Sequence, residues 1–140
     1  MVIAIKIMDG GKNKMSEEKK EFSLTEINRA PTPMIDMAKK HLPIITVPAT
    51  VKAGEPFEVK IKVGGIEGVE HPNMLGHWIN YVQLFAGDIP IVKVEFAPVV
   101  SDKYETTVKL TLEKTTKLKA QELCNLHGIW ESAPKEVKVQ

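Results

Sequence analysis

One cysteine and four histidines are the softer metal-binding side chains of this 140-residue chain. Cys124 stands three positions before His127 in Cys124-Asn125-Leu126-His127-Gly128-Ile129-Trp130. The Asn and Gly mark a sharp turn, across which a thiolate and an imidazole can reach one metal ion. Alone, Cys-x-x-His is a modest signal, because a lone cysteine is most often a small core residue. The other histidines strengthen it. His71 and His77 share the stretch Glu70-His71-Pro72-Asn73-Met74-Leu75-Gly76-His77, and His41 precedes Leu42-Pro43. None falls inside an alternating strand pattern. All sit at strand ends or in loops, where a rigid scaffold carries its sites.

The donor types constrain the metal. Four imidazoles and a thiolate exceed the four tetrahedral ligands of structural zinc. Blue copper takes two His, one Cys and a weak axial Met, and here the last methionine is Met74, far ahead of His127. Iron accepts five protein ligands and keeps a sixth position for a small oxygen species. An axial thiolate pushes electron density toward that position.

Strands must hold these residues. Phe57-Glu58-Val59-Lys60-Ile61-Lys62-Val63 alternates apolar and charged without a break, the pattern of a strand with one face in a core. Tyr104 to Leu112 repeats it, with Val108, Leu110 and Leu112 inward, and so do Val92, Val94 and Phe96. Trp78 to Phe85 is apolar on both faces and is expected to be central. Ile44 to Val51, Lys117 to Leu123 and Glu136 to Gln140 complete the set. Turn residues at 53–56, 64–65, 86–88 and 101–102 separate the runs. Seven short strands with little helix between them predict an all-β, seven-stranded immunoglobulin-like antiparallel β-sandwich.

Residues 1–38 differ and are expected to form an N-terminal extension ahead of a sandwich domain at 39–140. Asp9-Gly10-Gly11-Lys12-Asn13-Lys14 is turn chemistry, and Ser16 to Glu21 is charged and solvated. Ser23 with Glu26 three residues on predicts a short capped helix. Pro31-Thr32-Pro33 is expected to be extended; if the Lys39–Lys40 segment is extended as well, its two side chains point to opposite sides. The extension suits a lid, an oligomer contact or a partly disordered arm.

Composition narrows the function classes. The net charge of +1 gives no electrostatic footprint for nucleic acid. No apolar run approaches a membrane span, and the opening Met1 to Met8 lacks the features of a signal peptide. One cysteine excludes an intrachain disulfide and fits a reducing compartment, so a cytoplasmic location is expected.

Three separated stretches together resemble the superoxide reductases, the neelaredoxin and desulfoferrodoxin iron-domain family. Lys40-His41-Leu42-Pro43 is similar to the family's Glu-Lys-His-Val-Pro segment. His71-Pro72-Asn73-Met74-Leu75-Gly76-His77 matches its His-Pro-Asn-x-x-x-His loop in spacing. Cys124 to Trp130 resembles its Cys-Asn-x-His-Gly-Leu-Trp segment. The likeness runs over roughly residues 38 to 140, in the family's order. It implies one iron per chain, with His41, His71, His77 and His127 as equatorial ligands and Cys124 as the axial thiolate. It implies one-electron reduction of superoxide to hydrogen peroxide, with Lys40 beside the open position. An external donor such as rubredoxin would restore the ferrous state, and the assembly would be a homo-oligomer, tetramer or dimer. The four-cysteine second iron of some members cannot form with a single cysteine.

The chain departs from the family at two points. Lys39 stands where the family has the glutamate that meets ferric iron, and Gly76 stands where it has a glutamate before the second loop histidine. Two other function classes compete. One is an iron or copper electron carrier on the same sandwich. The other is a metal-free interaction module, which leaves the five residues unexplained.

Overall fold

The computed structural model describes residues 2–9, 12–19 and 21–140, with side chains from Glu21 onward. Two strands open the chain: β1 (Val2–Asp9) and β2 (Lys12–Lys19), antiparallel from Val2↔Lys19 to Asp9↔Lys12. Gly10 and Gly11 of the expected turn lie outside the described residues. The charged stretch from Ser16 is therefore strand as far as Lys19, and this pairing was not foreseen.

The helix expected at Ser23 does not form. Its cap does: the Ser23 hydroxyl accepts from the amides of Thr25 (3.2 Å) and Glu26 (3.1 Å). Asn28 then closes the loop, accepting from the Ser23 amide at 2.7 Å and donating to the Ser23 carbonyl at 2.9 Å. A side chain that serves the backbone in this way competes with helix. Pro31-Thr32-Pro33 is bent rather than extended.

The Lys39–Lys40 segment is helical rather than extended, within α1 (Asp36–His41). Asp36 lies in its first turn and Lys39, Lys40 and His41 in its last, the order that suits the helix dipole. Ala38 is buried. Pro43 pushes Leu42 out of the helical region and ends the helix at the site. The boundary expected between residues 38 and 39 falls inside α1.

The remaining strands are β3 (Pro43–Thr46), β4 (Thr50–Val51), β5 (Phe57–Val63), β6 (Ile79–Ala86), β7 (Ile89–Glu95), β8 (Glu105–Leu110), β9 (Thr116–Cys124), β10 (Gly128–Glu131) and β11 (Lys135–Val139). All seven expected runs are present. The run 44–51 divides between β3 and β4, because Pro48 interrupts it, and Gly128–Glu131 adds a strand inside the Cys124–Trp130 stretch. One sheet runs β4-β11-β9-β6-β7, with β10 also on β9; the other runs β3-β5-β8. Pairing within them is antiparallel except for β4 with β11.

Alternation explains the core. Val59, Ile61 and Val63 of β5 face Val82 and Leu84 of β6 and Leu118 and Ala120 of β9 in one buried cluster. Burying each such aliphatic side chain contributes about 1.5–3 kcal/mol. A second, smaller cluster holds Ala38, Leu42 and Trp130, with Phe22, Ile35, Met37 and Ile66 packed on it. The two cores meet at the end of the sandwich where β9 turns into β10. Among the described residues no helix is long and apolar enough to cross a membrane.

Candidate metal centre

Each candidate donor is delivered by a different local device. His41 closes α1. His71 and His77 flank the loop between β5 and β6. Cys124 ends β9, and His127 sits in the turn to β10. That turn needs its glycine. Gly128 has φ +82°, and a Cβ there would meet the Ser23 carbonyl oxygen at 2.6 Å. Gly64, at φ +79°, likewise lies so close to the Lys40 carbonyl that a Cβ would sit 2.6 Å from it, which lets the β5–β6 loop cross the end of α1.

The four imidazoles form a closed ring. Centroids are 4.7 Å apart from His41 to His71, 4.6 Å from His71 to His77, 4.9 Å from His77 to His127 and 4.9 Å from His127 to His41. Each neighbour is turned by 66–78°. The Cys124 sulfur lies 3.3 Å from His71 Nε2 and 3.6 Å from His127 Nδ1, two opposite members of that ring. The donor atoms of His41, His71, His77 and Cys124 all lie within 4.8 Å of one another. His127 stands beside this group of four through its contact with the sulfur.

Hydrogen bonds set which nitrogen each ring offers. A carbonyl only accepts, so His41 Nδ1 donates to the Met37 carbonyl and His71 Nδ1 to the Pro72 carbonyl, both at 2.6 Å. Both rings are left with Nε2 as the free lone pair. The Nε2 atoms of His41 and His77 are buried and have no protein partner. Orphaned buried nitrogens are rare and call for a ligand; these two aim into a space already lined by a thiol and two further imidazoles. The donor set therefore fits a metal ion.

Electrostatics point the same way. Burial lowers the pKa of His41 to about 3 and of His71 to about 4, and burial also lowers His77 and His127. All four are thereby favoured in the neutral form that binds metals. Burial pushes the Cys124 thiol up, while the backbone amides of Leu126 and His127 act on the sulfur in the opposite sense. Amides directed at the sulfur stabilise a thiolate. The positive charge of Lys40 acts on all four histidines and on Cys124. Lys39, one residue earlier on the helix, instead pairs with Glu67 and Asp36.

Other residues support the site, and of these sequence reasoning overlooked Asn125 and Phe22. Asn125 staples the cysteine turn to the histidine loop: its side chain donates to the Gly76 carbonyl at 2.8 Å and accepts from the Trp78 amide at 2.9 Å. Its place between Cys124 and His127 was the available signal. Trp130 stacks on His41, centroids 5.2 Å apart and 16° from parallel, and donates to the His127 carbonyl at 3.1 Å. Phe22 meets His127 edge-on at 4.8 Å, and nothing in the sequence around it announces that contact. Glu70, beside His71, is tied to Lys62 at 2.8 Å.

Residues 33–133 match the family model described as Desulfoferrodoxin. The chain is 37% identical over 98 residues to a putative superoxide reductase of Methanocaldococcus jannaschii, covering 69% of this chain and 81% of that protein. It is 32% identical over 111 residues to the superoxide reductase of Pyrococcus furiosus, covering 67% and 86%. Among solved structures, the superoxide reductase (neelaredoxin) of Ignicoccus hospitalis superimposes with a TM-score of 0.68 at 34% identity, over 81% of this chain and 95% of that one.

Proposed function

The chain belongs to the desulfoferrodoxin family, and from that membership we infer that it is a superoxide reductase, an enzyme that converts superoxide to hydrogen peroxide. The observation that carries this reading is the closed ring of four imidazoles against the Cys124 sulfur, with the Nε2 atoms of His41 and His77 otherwise unpartnered. One iron per chain is the metal proposed. It would be held by His41, His71 and His77 through Nε2, by His127 through Nδ1, and by Cys124 through sulfur. A ferrous iron held by these residues would supply the single electron that reduces superoxide, with two protons completing hydrogen peroxide.

The chain's own residues do the rest. Lys40 draws the anionic substrate to the site and stabilises the negative charge that develops on the product. The amides of Leu126 and His127 work against the burial that favours the thiol, and so would help a bound metal hold the sulfur as a thiolate. The Met37 and Pro72 carbonyls fix the rotation and tautomer of two rings. With Lys39 at the family's glutamate position, no carboxylate comes from there. Glu67 and Glu70 of the preceding loop are held by Lys39 and Lys62. We therefore propose that neither Glu67 nor Glu70 caps the open position.

An external one-electron donor such as rubredoxin, a homo-oligomeric assembly and a cytoplasmic location complete the proposal. Residues 39–140 are taken as the metal-bearing unit and 1–38 as an extension whose later part walls the site. Metal analysis and an absorption spectrum of the oxidised full-length protein test the reading. One iron per chain with a thiolate-to-iron band is expected; copper, or the absence of that band in a fully metallated sample, would overturn it.

A further inference from the structure

His71 and His77 stand at the two ends of one loop, and the hydroxyl of Tyr104 reaches both ends. It donates to the Pro72 carbonyl at 2.8 Å, and the Ile79 backbone amide is directed at the hydroxyl oxygen itself. Pro72 follows His71 directly. Ile79 follows His77 by two and pairs across the sheet with Cys124. The Pro72 carbonyl also accepts from His71 Nδ1 at 2.6 Å. One carbonyl thus holds an imidazole and is itself held by a phenol.

The placement of Tyr104 is enforced from several sides. It is 2% exposed. Its ring meets His71 edge-on at 5.6 Å and Phe96 at 5.5 Å. Lys103 and Tyr104 both have left-handed backbone, φ 57° and 46°, where the chain enters β8. That region disfavours residues with a side chain, and such outliers tend to gather where a site demands them.

We propose that Tyr104 is a positioning residue for the metal centre, its hydroxyl fixing the Pro72 carbonyl so that His71 presents Nε2 to the metal. The inference rests on the metal-site reading above. Two donors share one oxygen, so each bond is moderated. His71 is therefore oriented without being driven toward imidazolate. Removing the phenol frees the carbonyl, and with it the rotation of the loop's first ligand. A plain core aromatic would contribute only packing, which phenylalanine supplies equally well.

The test is a Co2+ titration of the metal-stripped full-length protein. Changes to groups that orient metal ligands typically weaken affinity by about 10–100-fold, so Tyr104→Phe is expected to bind Co2+ about ten-fold more weakly than wild type. Phe96→Leu loosens the same aromatic packing without touching Pro72; it should lose thermal stability and keep its affinity. Equal affinity of Tyr104→Phe and wild type, or an equal loss in Phe96→Leu, would overturn the proposal. A second measurement needs no variant. Proton NMR of the wild-type apoprotein should show protected Tyr104 O–H and His71 Nδ1–H signals joined by a nuclear Overhauser effect, since both point at one oxygen. Absence of that pair also overturns the proposal. No saturable Co2+ binding by wild type would overturn the metal-site reading itself, and this inference with it.

Discussion

The imidazole ring leans on two unlike cores. On one side, Cys124 belongs to the large cluster between the sheets, and Tyr104 of that cluster abuts His71. On the other, His41 and His127 rest on the small cluster around Trp130, with Phe22 closing it. The first support is made of alternating, paired strands, with register shifts in β6 at Ile79/Tyr81 and Leu84/Phe85. The second is made of a six-residue helix, a bent segment and one tryptophan. Cys124 and His71 thus lean on the large core, and His41 and His127 on a patch with three buried apolar side chains, Ala38, Leu42 and Trp130. Damage to the two sides should therefore look different.

The largest effect is expected on the sheet side. Cys124→Ser should abolish the thiolate-to-iron band and the reductase activity, while the sandwich still folds. Absorption and turnover of the metallated variant check this. A structural thiol would instead cost stability and leave the metal chemistry intact, and full activity in the variant would remove Cys124 from the site.

On the small-core side, Trp130→Phe should cost stability before it costs turnover. The change empties part of a fully buried site and leaves the His127 carbonyl without its indole partner, together about 1–3 kcal/mol. Trp78 is only partly buried against the large core, with its indole donating to the Phe96 carbonyl at 3.3 Å. Trp78→Phe should cost less. Denaturant unfolding beside superoxide kinetics separates the two quantities. A large rate loss in a stable, fully metallated Trp130→Phe protein would make the tryptophan part of the chemistry.

The smallest effects concern α1, which joins the two sides. Lys40→Ala should slow the reaction with superoxide by several-fold, up to about ten-fold, at low salt and flatten its ionic-strength dependence. Lys39→Ala should change both less, because its charge is engaged by Glu67 and Asp36. Rate measurements on both variants across a salt series decide the matter. Equal rates for Lys40→Ala and wild type at low salt would deny Lys40 any steering role.

The same contrast explains what the sequence made legible. Period-two alternation in Phe57–Val63 and Tyr104–Leu112 announces β5 and β8, because one face must be apolar and the other wet. The spacing of His71, His77, Cys124 and His127 survives as sequence motif because those pairs are local. The small core has no such periodicity. Helix α1 is too short to show a 3.6-residue pattern, so the helical state of Lys39–Lys40 was not legible. Phe22, Asn28 and Tyr104 act through contacts with residues far along the chain, as in the Asn28 amide donating to the Ile129 carbonyl at 2.8 Å. Local pattern carries no trace of such pairings. The Ser23 cap was legible and still misled, since a cap signals a turn's hydrogen bonds and not the turns after it.

The central claim is reduction of superoxide rather than its dismutation or mere electron carriage. A pulse of superoxide delivered to the fully reduced, metallated protein without dioxygen tests it most directly, with peroxide, dioxygen and the site's oxidation state measured together. Each superoxide consumed should yield one hydrogen peroxide, oxidise one site and release no dioxygen. Dioxygen release at half the superoxide consumed, or a site that stays reduced, would contradict the account.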